Sequence, residues 1–298
     1  MAAKDFEILD ERFTRCIRTS ANIDRLYTGC RWTEGPAYFP ALRSLVFSDI
    51  PNDRMLRYDE ESEAVSVFRR PADYTNGNTV DRQGRLVSCQ HGARRVVRTE
   101  HDGSITVLAD RYHGKRFNSP NDVVVKSDGS IWFTDPSYGI DSSYEGFQAP
   151  SEIGERRVYR ADPRSGVVTA VADGFTQPNG IAFSVDEKRL YIADSGQRPS
   201  LIRRFEVHDD SLRGGEVFAT CSTGAFDGFR MDVDDRLWTS AGESIHCYER
   251  DGELIGRVLM PERVSNLVFG GLKRNRLFIT ATSSVYSLLV AVSGPKTF

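Results

Sequence analysis

The stretch DVVVKSDGSIWFTD (122–135) decides the fold. DVVVK alternates as a strand, SDG turns the chain, and SIWFTD follows as a second strand that is apolar on both faces. RVYRADP (157–163), a Ser-Gly turn (165–166) and VVTAVAD (167–173) supply a third and a fourth strand. A second strand with two apolar faces needs cover on both sides, which sheets stacked face to face provide. Working outward, the same second strand recurs as RSLVFSD (43–49), GRLVSCQ (84–90), KRLYIAD (188–194), DRLWTSA (235–241) and NRLFITA (275–281). From Leu45 through Leu86, Ile131, Leu190 and Leu237 to Leu277 the intervals are 41, 45, 59, 47 and 40 residues, the length of a propeller blade. HDG (101–103) and RDG (250–252) punctuate further hairpins, and no amphipathic helix exceeds a few turns.

The pattern predicts an all-β chain, a single domain over residues 1–298 built as a six-bladed β-propeller of four-stranded antiparallel sheets. The last unit stops after three strands, at VYSLLVAV (285–292). Aligning IDRLYTGCRWTEG (23–35) with TAVADGFTQPNG (169–180) puts a fourth-strand segment at about 23–28. That strand is expected to complete the last blade and close the ring, leaving about 1–22 as an N-terminal extension. Two β-sandwiches end to end are the competing arrangement, and the even spacing argues against them.

Composition excludes several classes. The chain carries a net charge of −3 and no basic run, so nucleic acid is not an expected partner. No apolar run approaches the ~20 residues of a membrane span, and MAAKDFEILDERF lacks an apolar signal core. The expectation is a soluble cytoplasmic protein, monomer or homodimer. Five cysteines without C-x-x-C spacing read as free thiols. There is no H-E-x-x-H, G-x-S-x-G, P-loop or dinucleotide fingerprint.

A second regularity lies ten or eleven residues before each anchor: Glu34, Asn76, Asn121, Asn179, Asp227 and Asn266. Asn, Asp and Gly form turns whatever their function, but Glu has no such preference, so Glu34 argues for a ring rather than a set of caps. In a propeller the first strand of each blade lines the axis, and these positions face the channel mouth. Carboxylates and amide oxygens without sulfur or imidazole suit a hard divalent cation, Ca²⁺ first, with Mg²⁺, Mn²⁺ or Zn²⁺ also accommodated. Such a cation would neutralise Glu34 and Asp227, which otherwise repel each other in low dielectric.

EGPAYFP (34–40), RFNSPNDVVVKSDGSIWFTDPSYG (116–139), QPNGIAFSVDEKRLYIADS (177–195) and FDGFRMDVDDRLW (226–238) resemble the senescence-marker-protein/gluconolactonase family. TNGNTVDRQGRLVSCQHG (75–92) is most similar to its bacterial gluconolactonase branch, and the resemblance runs from about 23 to about 285. It implies a six-bladed propeller with a divalent metal in the central tunnel, hydrolysing sugar lactones or, in some branches, organophosphates. By motif, Glu34, Asn179 and Asp227 are the implied metal ligands, and Asn121 the implied contact to metal or substrate. Asn76 and Asn266 rest on spacing and are expected in the pocket or behind it.

For a lactonase the cation polarises the carbonyl, Asn121 helps to stabilise the oxyanion, and Asp227 is base or water orienter. A metal-activated water and a covalent Asp227 route remain open. Tyr138, His91, Asn76, Arg116 and Asn118 are further candidates for substrate contact. The longest interval places an insertion at 136–155, a lid-like loop whose Tyr138, Tyr144 and Phe147 would cover a sugar ring. Trp132 and Trp238 read as blade-packing residues. A phosphotriester hydrolase on the same site and a non-catalytic binding scaffold are the alternatives.

Overall fold

Each doubly apolar second strand is buried between two neighbouring sheets. In the computed structural model, which describes residues 5–296, Leu45 and Phe47 face one apolar cluster while Val46 faces another. Trp132 and Phe133 divide in the same way, as do Leu190 and Tyr191. The six apolar clusters among the described residues correspond to the six contacts between adjacent blades, so the hydrophobic core is a ring of interfaces.

The blades begin with Thr33–Phe39, Thr75–Val80, Val123–Val125, Pro178–Phe183, Phe226–Met231 and Val264–Gly270, and each continues outward through three antiparallel strands. Neighbouring innermost strands pack side by side all the way round. The ring closes as expected: Asp24–Thr28 pairs with Ser284–Leu289, Asp24 opposite Ser287 and Thr28 opposite Ser284. Gly103, Gly129 and Gly252 of the hairpin signals all adopt positive φ, of 85°, 89° and 93°.

Three features lie beyond the sequence pattern. Phe6–Ile8 adds a fifth strand to the fifth blade, Phe6 opposite Val258, and the short helix Glu11–Arg15 sets Phe13 against Trp238 with ring centroids 5.9 Å apart. A two-stranded ribbon pairs Arg111–Tyr112 with Lys115–Arg116. The insertion carries the one α-helix among the described residues, Tyr138–Asp141. Residues 1–4 and 297–298, within the expected domain limits, lie outside the described residues. The cysteines are free and buried.

Five of the six innermost strands shift register at their start: at Glu34/Ala37, Thr75/Asn78, Pro178/Ile181, Phe226/Phe229 and Val264/Asn266. Such bulges re-aim a side chain where a sheet ends. The glycine after the ring residue then lets the next blade come close. A Cβ on Gly35 would lie 2.1 Å from the Asn76 carbonyl oxygen, on Gly77 2.3 Å from that of Asn121, and on Gly180 2.1 Å from that of Asp227. On Gly228 it would lie 1.9 Å from Asn266 Cγ. Only hydrogen fits there, and the blade starts are drawn into a tight circle.

Candidate active site

Buried acids at the ends of second strands hold the segments that lead into the ring. Asp135 accepts the Asn118 and Ser119 N–H groups at 2.9 and 2.8 Å, and Asp194 those of Thr176 and Gln177, both at 2.8 Å. Asp49 accepts Arg31 N–H at 3.0 Å and pairs with Arg54. The final Asp of FSD, FTD and IAD therefore frames Glu34, Asn121 and Asn179 respectively. Second-strand hydroxyls join the blades: Ser48 donates to Asn76 O at 2.7 Å and Thr134 to Asn179 O at 2.8 Å.

Above this frame a cavity of roughly 220 Å³ opens at the channel mouth, and Glu34, Asn76, Asn121, Asn179 and Asp227 all line it. Asn266 lies just behind, donating from Nδ2 to Glu34 Oε2 at 3.0 Å, and Gly35 N–H donates to the same oxygen. Glu34 is thereby held by one oxygen. Its Oε1 is buried without a hydrogen-bond partner among the described residues, as is Asn76 Oδ1. Among the described residues Asn121 is engaged only through its backbone, its N–H donating to Thr134 O at 2.9 Å and its carbonyl oxygen accepting from Gly77 N–H at 2.8 Å.

Burial raises the pKa of Glu34, and the nearby Asp122 carboxylate raises it further. Burial likewise lifts Asp227 well above the carboxylate range, with Glu34, Asp122 and Glu145 adding to the effect. Arg230, with Nη1 3.8 Å from Asp122 Oδ2, partly offsets the rise at Asp122 and Glu34. Among the described residues no three His, Cys, Asp or Glu side chains form a metal-holding group, so the donor set is mixed carboxylate and amide. Orphaned buried acceptors beside desolvated carboxylates fit a hard dication, which needs oxygen donors and brings the missing charge.

Tyr138 also reaches the cavity, its hydroxyl beside Ser195, Asn179 and Asp227. The other candidates lie elsewhere. His91 is fully buried outside the lining. Its Nε2 is 3.2 Å from Asn76 Nδ2 and its Nδ1 3.1 Å from the Glu145 carbonyl oxygen. Burial lowers its pKa to about 4, so the neutral imidazole ties the insertion to the ring. Arg116 does not line the cavity, because its guanidinium donates to Ala93 O at 3.0 Å. Asn118 is buried and saturated, bonded to Ser151 Oγ and Glu155 O. Tyr144 and Phe147 are exposed and outside the lining, Phe147 lying edge-on to Tyr74.

The sequence reading missed Asp122, Trp32, Glu145, Arg198 and Arg263. Asp122 directly follows Asn121 and was read only as the start of a strand. It lies behind the ring with Arg230, and Asn266 is also within its reach. The other four line the cavity. Glu145 is placed from the insertion: Gly146 packs on the Gly139 carbonyl oxygen, and Gly139 on the His91 ring, both too closely for a side chain. Burial pushes the Glu145 carboxyl up to about 7.

The family model described as "SMP-30/Gluconolactonase/LRE-like region" matches residues 32–283. The chain is 28% identical to a gluconolactonase from Zymomonas mobilis, covering 92% of this chain and 83% of the relative. It is 29% identical to a pentonolactonase from Haloferax volcanii, covering 85% and 82%. A gluconolactonase structure from Xanthomonas campestris superposes with a TM-score of 0.91 at 37% identity, covering 97% of this chain and 96% of that one.

Proposed function

Because the chain belongs to the SMP-30/gluconolactonase/LRE-like family, we propose that it hydrolyses sugar lactones to aldonic acids with a divalent cation held by Glu34, Asn179, Asp227 and Asn121. One observation carries the metal reading: Glu34 Oε1 and Asn76 Oδ1 are buried acceptors without donors among the described residues, and both residues line a cavity shared with Asp227. Ca²⁺ fits this oxygen set best, and Zn²⁺, Mg²⁺ and Mn²⁺ are the other candidates. When bound, the cation supplies Lewis acidity for the lactone carbonyl.

The remaining steps belong to the chain. The Asn121 amide, uncommitted to other side chains, donates to the oxyanion that develops as water adds. Asp227 orients that water, takes its proton and returns it to the ring oxygen as the ring C–O bond breaks, its backbone fixed by an N–H bond to Ser240 Oγ at 3.0 Å. Asn266 and the Gly35 N–H keep Glu34 in one orientation through Oε2 and leave Oε1 without a partner among the described residues. Tyr138 forms part of the wall against which the sugar ring lies. No helix among the described residues is long and apolar enough to cross a membrane. Nothing at the site favours the phosphotriesterase or scaffold readings.

The test is acid release from D-glucono-1,5-lactone in a pH-stat, with and without chelator. It is paired with elemental analysis of wild type, Glu34→Gln and Asp227→Asn. The expected result is chelator-sensitive turnover, loss of metal in Glu34→Gln and loss of turnover in Asp227→Asn. Turnover indifferent to chelator and to both substitutions would end the proposal.

A further inference from the structure

We propose that the cavity is built for lactones bearing an anionic substituent, which Arg198 and Arg263 bind at its rim; this rests on the lactonase reading and specifies its substrate class. All the acids lining the cavity, Glu34, Asp227 and Glu145, are at the ring or on the insertion, while Arg198 and Arg263 are its lining cations.

The two arginines flank the catalytic aspartate. Arg198 lies between the second and third strands of the fourth blade, and Arg263 directly precedes the innermost strand of the sixth. The fifth blade, carrying Asp227, stands between them. Some arginines of the chain are held by carboxylates, such as Arg54 by Asp49 and Arg236 by Asp232 and Glu249, and others are engaged elsewhere, such as Arg203 on Gly215 O and the Phe175 and Phe205 rings. Among the described residues neither Arg198 nor Arg263 forms an ion pair. Arg198 Nη1 is anchored on the carbonyl oxygens of Ser195 and Gln197 at 2.8 and 2.7 Å, which orients the guanidinium and leaves Nη2 and Nε uncommitted. An oriented guanidinium fork matches a carboxylate or phosphate.

A neutral aldonolactone offers such groups only hydroxyls. A lactone with a carboxylate or phosphate at the end remote from its carbonyl satisfies both ends of the cavity. The carbonyl then meets the ring while the anion meets the arginines at the rim.

The experiment compares kcat/KM for neutral D-glucono-1,5-lactone, carboxylate-bearing D-glucaro-1,4-lactone and 6-phospho-D-glucono-1,5-lactone. It uses wild type and the Arg198→Gln/Arg263→Gln double variant. We expect wild type to favour at least one anionic lactone by roughly tenfold or more, through KM. In the double variant the anionic-to-neutral ratio should fall toward one. Raising salt should shrink the wild-type preference, since exposed charges are screened within about 10 Å at 0.1 M. Which anionic lactone is preferred separates carboxylate from phosphate. Calorimetric binding of D-glucarate against D-gluconate supplies a readout without turnover. Tighter glucarate binding that the double variant abolishes, in a protein hydrolysing no lactone, would reject the lactonase reading and keep the anion site. Equal wild-type rates on neutral and anionic lactones, or a double variant that loses all substrates in the same proportion, overturns the inference.

Discussion

Replacing Gly180 with alanine tests the tightness of the ring directly. Gly180 does not adopt positive φ, so alanine carries no backbone strain there, and the effect is one of space alone. The added Cβ would stand 2.1 Å from the Asp227 carbonyl oxygen and 2.9 and 3.0 Å from two atoms of the Phe229 ring. Relieving the first contact requires the fourth and fifth blades to part by about 1 Å at their inner ends. Overpacking of this kind costs about 1–3 kcal/mol, or more where backbone must move. That corresponds to a fall in Tm of several degrees, at about 2–4 °C per kcal/mol in chains of this size class. The same displacement separates Asp227 from Asn179, and about 1 Å of misplacement is worth ~10²-fold in rate. Scanning calorimetry and pH-stat turnover of Gly180→Ala give both numbers. Gly166→Ala is the control, because Gly166 has φ of 72° and nothing within 4 Å of its Cβ position. It should lose about 1–2 kcal/mol to backbone strain and keep its kcat. Wild-type Tm and kcat in Gly180→Ala would refute the claim that this contact sets the ring.

Asp194→Asn leaves one oxygen to meet two N–H groups at 2.8 Å, so it should cost about 2–4 kcal/mol in denaturant unfolding and lower kcat through drift of Asn179. A loss of stability with kcat unchanged would show that the clamp is not coupled to the ring. Glu145 titrates near 7 because burial disfavours its charge, so wild-type kcat/KM should show an inflection there that Glu145→Gln removes. An identical profile in the variant would exclude Glu145 from the rate. In chelator, stability should fall as pH rises from about 6.5 to 8. Buried Asp135 and Glu145, both pushed up to about 7, and the raised Glu34 and Asp227 keep protons in the folded state that the unfolded chain has released near pH 4. The buried His91 and His246, lowered to about 4, act in the opposite sense, but that effect is half spent at about pH 6.5 and complete by about 7.5, and the raised acids outnumber them. A flat or rising Tm across this window would contradict the assignment.

The repeat was legible because its signal is one of packing. A strand such as IWFTD must be apolar on both faces when sheets cover both, and that requirement recurs in every blade. The ring positions were legible through phase, since a fixed distance from the packed strand fixes the place on the axis. Residues supplied by irregular segments were not. Glu145 reaches the cavity only because Gly146 and Gly139 allow close packing on His91, a tertiary contact with no periodic trace. Arg198 and Arg263 sit in connections whose geometry no spacing rule constrains. His91 was noticed for its chemistry, yet its neutral buried ring links the insertion to Asn76. The aspartates ending FSD, FTD and IAD stood in view in the aligned strands. Their role as clamps needed the pairing of the second strand with the segment before the first.

Hydrogen-bond satisfaction separates the polar groups that hold this protein together from those left for a ligand. Asn76 and Asn78 stand two residues apart in one strand, both buried. Asn78 Nδ2, with two hydrogens to give, lies within hydrogen-bond distance of three acceptors, Gly35 O, Ser48 Oγ and Asn76 O, and its Oδ1 receives Ser88 Oγ, so both ends of the amide are engaged in joining the first and second blades. Asn76 leaves its Oδ1 with no partner among the described residues, as Glu34 leaves its Oε1, and both residues line the cavity. A buried acceptor without a donor costs about 1–3 kcal/mol, a cost that an occupant bringing positive charge removes. The difference lies in depth along the tunnel. Behind the ring, Asp122 meets Arg230 and Asn266 meets Glu34, and the polar atoms are matched. At the ring itself the oxygens outnumber the donors, and the excess is negative. A cation is the occupant that such a surplus admits, and an anionic substrate is tolerated there only if its charge is carried to the arginines at the rim.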